Sequence, residues 1–302
     1  MYKILSLDGG GLRSVFQARM LQRIERAIEK PVRPDLYAGT SAGAIVAAAA
    51  QVIPLQNIID FFIAEGPRIF KKDNLLDDIE DLWDLAGARY QSKGLKQALT
   101  KVFGEMKLKD LSTTTLLTSF SLKNEEGFWQ PVVHHNFKGT PKASPDLSVV
   151  SAIMRSSAAP TYFPIVSEGG EKFCDGGVWG NNPSMAALAA AVDRYVGRQS
   201  HERVALLSIG TGRLRLQIAG AKQDLGALDW LKKGLVDVLL DGNIESAHYY
   251  SRSVLGPAYY RLQADLSDDI RLDDLSGIER MISLADSLDI EPLVSWMQGF
   301  WV

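Results

Sequence analysis

Three short stretches of this chain hold residue types that suit acyl-transfer chemistry. The first is Gly39-Thr40-Ser41-Ala42-Gly43, a G-x-S-x-G sequence. A serine at a sharp strand-to-helix turn has a strained backbone, so its neighbours must be small. The turn lifts the hydroxyl above a sheet and sets it at a helix N-terminus, where developing negative charge is favoured. Alone, the pattern fits an ordinary tight strand–helix junction equally well.

The second stretch is Gly9-Gly10-Gly11-Leu12-Arg13-Ser14. Consecutive glycines let backbone N–H groups face a cavity and hold an oxyanion or a phosphate. It is not G-x-G-x-x-G, because position 14 is Ser, and it lacks the Lys of a Walker loop. A nucleotide-binding turn therefore stays open as an alternative. The third stretch is Asp175-Gly176-Gly177, followed by Asn181-Asn182-Pro183. An Asp at a strand end with glycines behind it can approach a neighbouring loop closely. By itself it is a turn residue capping the next backbone.

These turns need elements to carry them. Lys3 to Leu7 reads as a strand entering the Gly9 turn, and Val15 to Ile28 as an amphipathic helix before Pro31 and Pro34. Asp35 to Ala38 is a second strand, and Ala42 to Val52 a helix of small residues. Leu116 to Leu122, Pro131 to His134, Lys172 to Cys174, Val204 to Ile209 and Ala258 to Leu262 read as strands. Leu147 to Ser157 and Pro183 to Val196 read as helices. Strands alternating with helices imply an α/β fold, with a mostly parallel sheet covered on both faces. Ligands in such sheets sit at the carboxyl ends of strands, where all three glycine turns fall.

Composition narrows the function classes. The 302 residues are 46% hydrophobic and 23% charged, with net charge −3. That describes a globular protein able to bury a sizeable core, with no basic footprint for nucleic acid. One cysteine, Cys174, allows no internal disulfide, which suits a reducing cytoplasm. The first residues reach charge too soon for a signal peptide. Ala44 to Leu55 is broken by Gln51 and Pro54 and falls short of the roughly 20 residues a membrane span needs. Membrane contact is therefore expected to be peripheral. The acidic residues Asp77 to Asp84, Asp268-Asp269 and Asp273-Asp274 follow no metal-ligand spacing, so neither metal nor cofactor is expected. The four histidines, His134, His135, His201 and His248, lie outside the glycine turns and read as surface or packing residues.

Taken together and in order, Asp8-Gly-Gly-Gly-Leu-Arg-Ser, Gly39-Thr-Ser-Ala-Gly and Asp175-Gly-Gly resemble the patatin-like phospholipase family. Ser157-Ala-Ala-Pro-Thr-Tyr-Phe-Pro164 resembles the block before that family's acidic residue. The likeness runs from about Lys3 to Thr211. It implies a three-layer α/β/α fold and a Ser–Asp dyad: Ser41 as nucleophile, Asp175 as base, and Gly9, Gly10 and Gly11 as the oxyanion loop. Gly39, Gly43, Gly176 and Gly177 would shape the turns, and Arg13 would meet a head group or a structural partner. Ser14 departs from the family's usual Gly, although a serine there can cap the following helix. The implied substrate is a phospholipid or another acyl-ester lipid met at a membrane surface, by a cytoplasmic protein.

The domain expectation is a catalytic core over 1–212 with a helical insertion at about 57–109. A mainly helical extension over 213–302 then packs on the same domain. Some family members are effectors switched on by a partner or a small nucleotide, and the motif-free region after Leu225 would house such control. Apolar stretches expected to meet lipid are Ile58 to Phe70, the helix around Trp230, Leu231, Leu235 and Leu239, and Trp296, Phe300 and Trp301. Phe61, Phe62 or the tail would line an acyl channel.

Overall fold

The computed structural model describes residues 1–71, 87–124, 126–140, 143–214, 226, 229–230, 235–266 and 270–301. The acidic stretch Asp77 to Asp84, Leu231 and Asp268-Asp269 lie outside these residues.

Among the described residues, eight strands form one sheet. They are β1 (Tyr2–Leu7), β2 (Leu36–Gly39), β3 (Thr114–Lys123), β4 (Gln130–His135), β5 (Val166–Glu168), β6 (Glu171–Asp175), β7 (Val204–Ile209) and β8 (Tyr259–Leu262). The order is β5-β6-β3-β2-β1-β7-β8, with β4 also pairing β3. From β3 to β8 every neighbouring pair is parallel. The pairs β3–β4, β3–β6 and β5–β6 are antiparallel.

Strands buried on both faces must be apolar on both faces, and β1 and β7 are. Alternation assigns the layers. Leu5, Leu7, Leu207 and Ile209 pack with α1 (Val15–Ile28), α2 (Ala42–Ala49) and α3 (Leu55–Ile69). Ile4, Leu36, Val204 and Leu206 pack on the other side, with Ala187, Leu188 and Ala191 of the helix Ser184–Val192. Leu255 of the helix Leu235–Leu255 joins that second layer. This is the expected three-layer α/β/α arrangement.

Two helix ends fall short of the sequence reading for a visible reason. The Ser184–Val192 helix stops before Val196 because the Asp193 carboxylate accepts the N–H groups of Tyr195 and Val196, at 2.7 and 3.1 Å. That local turn competes with helical pairing. After α2, Gln51 and Val52 turn tightly onto the carbonyls of Ala48 and Ala49.

Candidate active site

Strand β3 explains why Ser41 and Asp175 meet although 134 positions separate them. β2 runs parallel to β3 and ends with Gly39 opposite Leu117. β6 runs antiparallel to β3 and ends with Asp175 opposite Ser119. Two strand ends thus arrive head to head along one neighbour, two residues apart, roughly 7 Å at a strand's rise. Beyond β2 the chain must turn at once into α2, and Ser41 sits on that turn with φ 54° and ψ −126°. This conformation is strained for a residue with a Cβ and persists only where packing enforces it. Packing does so. A Cβ on Gly39 would lie 2.6 Å from the Ala44 Cα, and one on Gly43 would lie 2.3 Å from the Leu7 carbonyl oxygen. Both positions must be glycine for α2 to start against β1.

The Ser41 side chain faces the Asp175 carboxylate closely enough to help hold its pKa down. The Gly177 N–H donates to Asp175 Oδ1 at 2.7 Å. Asp175 is buried, and that desolvation pushes its carboxyl up to about 6, Ser41 and the Gly177 N–H pulling the other way. Thr40 braces the turn from behind, its Oγ1 lying 2.7 Å from Thr118 Oγ1 and donating to the Gly180 carbonyl at 2.6 Å. A Cβ on Gly176 would strike Thr118 Oγ1 at 2.1 Å.

The glycine loop lies beside Ser41, since a Cβ on Gly9 would come within 3.2 Å of the Ser41 Cβ. Its three N–H groups differ. Gly9 N–H donates to the Asn181 carbonyl at 2.9 Å, so Gly9 is corrected from oxyanion donor to spacer. Its carbonyl is tied down by Thr211 Oγ1 at 3.1 Å. No described residue accepts from Gly10 or Gly11. Gly11 has φ +56°, and a Cβ there would meet the Leu272 carbonyl at 2.3 Å. Arg13, half-buried, lies on the 3-10 turn Gly11–Ser14. Ser14 occupies the N-cap position of α1 without making the cap bond: its backbone is already helical, at φ −66° and ψ −11°.

A narrow apolar cavity of about 60 Å³ opens beside Ser41, lined by Ile45, Phe62, Ile69, Phe70, Tyr162 and Phe163. Phe62 is one of the residues that line it. Phe61 is buried but is not among the lining residues, and Trp296 stacks with Phe300 and packs near Trp301 and Tyr260 instead. The histidines are packing or surface groups, as their sequence surroundings imply. His134 Nε2 pairs with Ser119 Oγ at 2.9 Å, and burial pushes its ring down to about 3. His248 Nδ1 lies 3.1 Å from the Tyr259 hydroxyl, and His201 is exposed. No described group of side chains could hold a metal ion.

One supporting residue carried no signal in the sequence. Arg261, on β8, reaches under the glycine loop. Its guanidinium grips both Asp8 carboxylate oxygens, at 2.9 and 2.6 Å, and also donates to Ser208 Oγ at 2.7 Å. The pair is nearly sealed, with the Asp8 side chain 1% exposed and that of Arg261 8%. Burial works against the charge of Arg261, and the Asp8 carboxylate more than restores it. Gln17 completes the underside by donating to the carbonyls of Asp8 and Ile209, at 2.9 and 3.0 Å.

Comparison with known proteins bears on this arrangement. The patatin-like phospholipase description matches residues 5–188, which include the glycine loop, Ser41 and Asp175. The chain belongs to the patatin-like phospholipase family. It is 30% identical over 295 residues to a cGAMP-activated phospholipase of Pseudomonas aeruginosa (strain BWHPSA011 / Pa011), covering 94% of this chain and 86% of that one. It is 27% identical over 337 residues to patatin-like protein 1 of Arabidopsis thaliana, covering 96% and 79%. The crystal structure of VipD from Legionella pneumophila aligns with 94% of this chain and 66% of its own at 12% identity, but its TM-score of 0.37 is too low to carry weight. Within this patatin-like phospholipase, β7, β8, Arg261 and Leu272 lie beyond the matched residues and still hold the glycine loop in place.

Proposed function

We propose that the chain is a serine acyl hydrolase that releases fatty acid from phospholipids through Ser41 and Asp175. The observation that carries this reading is a hydroxyl on a strained turn, facing a desolvated carboxylate beside two N–H groups without an acceptor among the described residues. Asp175 takes the Ser41 proton as Oγ bonds to the ester carbonyl carbon. The carbonyl electron pair moves onto its oxygen, where Gly10 and Gly11 N–H hold it, each such donor being worth about 2.7–4 kcal/mol. The bond to the glycerol oxygen then breaks, and that oxygen leaves with the proton from Asp175. Water repeats the sequence: Asp175 takes its proton, the oxygen attacks the acyl-enzyme, and Ser41 leaves reprotonated. A carboxylate serves as base near neutral pH when its pKa is raised, and burial of Asp175 supports that. The cavity at Phe62 suits an acyl chain, and no metal is required. We assign residues 1–212 to the catalytic core, with 57–109 a helical insertion and 213–302 an extension packed on it.

The test is fatty-acid release from mixed phospholipid vesicles by the wild type, Ser41→Ala and Asp175→Asn, each also treated with a fluorophosphonate probe. Release by the wild type, labelling lost with Ser41→Ala, and hydrolysis lost with both variants are expected. A folded, active protein that keeps its activity as Ser41→Ala sinks the reading.

A second reading concerns control. The relative from Pseudomonas aeruginosa is named a cGAMP-activated phospholipase and aligns over 94% of this chain. That supports activation by a small nucleotide here too. Fatty-acid release that is silent without cGAMP and appears with it is the expected result, and release of equal rate in both conditions rejects it.

A further inference from the structure

The apolar stretches named from sequence are only partly exposed, with Ile63 and Leu239 reaching solvent. Ile58, Ile59, Phe61 and Phe62 are buried, and so is Trp301. The exposed aromatic residues lie elsewhere. Phe128 is 66% exposed and Trp129 73%, both in the connection from β3 to β4.

The sheet fixes where that connection points. Asp175 lies opposite Ser119 of β3, so Ser119 marks the level of the site. β3 is parallel to β2, whose carboxyl end carries Ser41, and it runs on to Lys123. Four further residues project roughly 13 Å past the site on its open side. Phe128 and Trp129 therefore stand at the tip of a ledge beyond Ser41.

The tip is a built turn. Asn124 Oδ1 accepts the Phe128 N–H at 2.7 Å, the Asn124 carbonyl accepts the Gly127 N–H at 3.1 Å, and Gly127 has φ +83°. Apolar exposure continues toward the site. Ile165, just before β5, is 51% exposed, and Val178, three residues after Asp175, is 47% exposed. Formal charges in the sequence of the ledge and its β6 neighbour sum to −1, with Lys123 and Lys172 against Glu125, Glu126 and Glu171. A projecting Phe-Trp pair without net positive charge suits the interface of a zwitterionic rather than an anionic bilayer, where an indole keeps its N–H at head-group level.

We propose that the Phe128–Trp129 tip docks the protein on a zwitterionic bilayer, turning the Ser41 cavity toward the membrane. The proposal rests on the phospholipase reading for its purpose, but the docking can be measured apart from hydrolysis. The experiment compares the full chain with Phe128→Ser/Trp129→Ser in sedimentation with phosphatidylcholine vesicles. Fatty-acid release from those vesicles and hydrolysis of a water-soluble short-chain ester are followed alongside. Two further variants control it. Trp129→Phe keeps the ring, and Tyr249→Ser/Tyr250→Ser removes an equally exposed pair from the helix Leu235–Leu255.

The expected result is vesicle binding and release about tenfold lower, or more, for the double serine variant, with soluble-ester hydrolysis unchanged. Trp129→Phe should bind more weakly than wild type but better than the double serine variant, the tyrosine variant should bind like wild type, and added salt should not weaken binding, since no net positive charge drives it. If the protein sediments with vesicles through this tip but hydrolyses neither substrate even with cGAMP added, the docking stands and the phospholipase reading fails. Equal vesicle binding by wild type and the double serine variant overturns the proposal. So does binding confined to anionic vesicles, loss with the tyrosine pair instead, or loss of soluble-ester hydrolysis in a folded double serine variant.

Discussion

Asp8 and Arg261 make one ion pair from two regions of opposite character. Asp8 opens a stretch, to residue 188, in which the residues beside Ser41 and Asp175 sit in recognisable turns. Arg261 comes from a tail without a motif, and that tail supplies Arg261, Asn243 and Leu272. Arg261 grips Asp8, Asn243 Oδ1 accepts the Asn181 N–H at 3.0 Å, and the Leu272 carbonyl accepts the Leu12 N–H at 2.8 Å. All three act on the glycine loop or its neighbour Asn181. The first region needs particular atoms at particular points. The second needs only to present a donor or acceptor at the right height, which many sequences can do. The difference predicts that changes in the first region abolish turnover with little loss of fold, and changes in the second loosen the fold first.

The largest effect tests the first half of that contrast. Ser41→Ala and Asp175→Asn should each lower turnover by about 10⁴-fold or more, since members of such a unit fail together. Their unfolding transitions should remain cooperative. Substantial turnover by either variant would place the chemistry elsewhere and erase the contrast.

Arg261→Ala tests the second half. It leaves Asp8 buried without its partner, and breaking such a pair costs about 3–5 kcal/mol. Urea denaturation should show that loss. The double variant Asp8→Asn/Arg261→Met should recover most of it, because neither remaining group is charged. If Arg261→Ala instead costs turnover with no loss of stability, the tail contributes to the reaction itself and the division between regions is wrong.

What the sequence disclosed follows the same division. The strands at Lys3 and Val204 were legible because apolar runs ended in glycine turns, and the structure places β1 and β7 there. Ser41 and Asp175 were legible because a strained turn and a desolvated acid both need glycine neighbours, which few other needs would place together. Arg261 was not. An arginine in a strand near the chain's end looks like an exposed residue, and its partner lies 253 positions away. β5, three residues long, was missed because so short a strand leaves no alternation to read. The oxyanion role of Gly9 was overread, since the spacing of three glycines cannot tell which N–H a distant Asn181 carbonyl will occupy. Chemistry leaves local patterns, whereas support depends on pairings that only the fold creates.

Gly10→Ala probes the boundary between the two roles. A Cβ there would meet Thr211 Oγ1 at 2.2 Å, so the loop must shift away from its place. Displacing one oxyanion donor lowers turnover by about 10²–10³-fold. The expected result is that loss in single-turnover rate, with fluorophosphonate labelling of Ser41 slowed as well. Unchanged rates would mean that Gly10 is only structural, like Gly9.

The smallest effect is read from pH, and it ties function to stability at a single residue. The Asp175 carboxyl sits at about 6, above its usual value of 3.8, because burial disfavours its charge. Turnover should therefore rise with pH through a midpoint near 6, as the base form appears. Stability moves the other way. A carboxyl whose folded pKa is raised adds stability below its unfolded pKa, and that stability is lost as pH rises through 6. At pH 8 the folded wild type carries the full penalty of a buried charge, roughly 1–3 kcal/mol. Asp175→Asn has no charge to bury and can still accept the Gly177 N–H. It should be more stable than wild type at pH 8, by that amount, and the gap should close as pH falls toward 4. His134, held neutral by burial, weakens both proteins as pH falls from 6.5 toward 3, so its contribution cancels in the difference. Denaturation of the pair at several pH values measures the gap directly. A constant gap, or none, would mean that Asp175 is better solvated than its surroundings imply and is an ordinary acid rather than a base raised toward neutral pH.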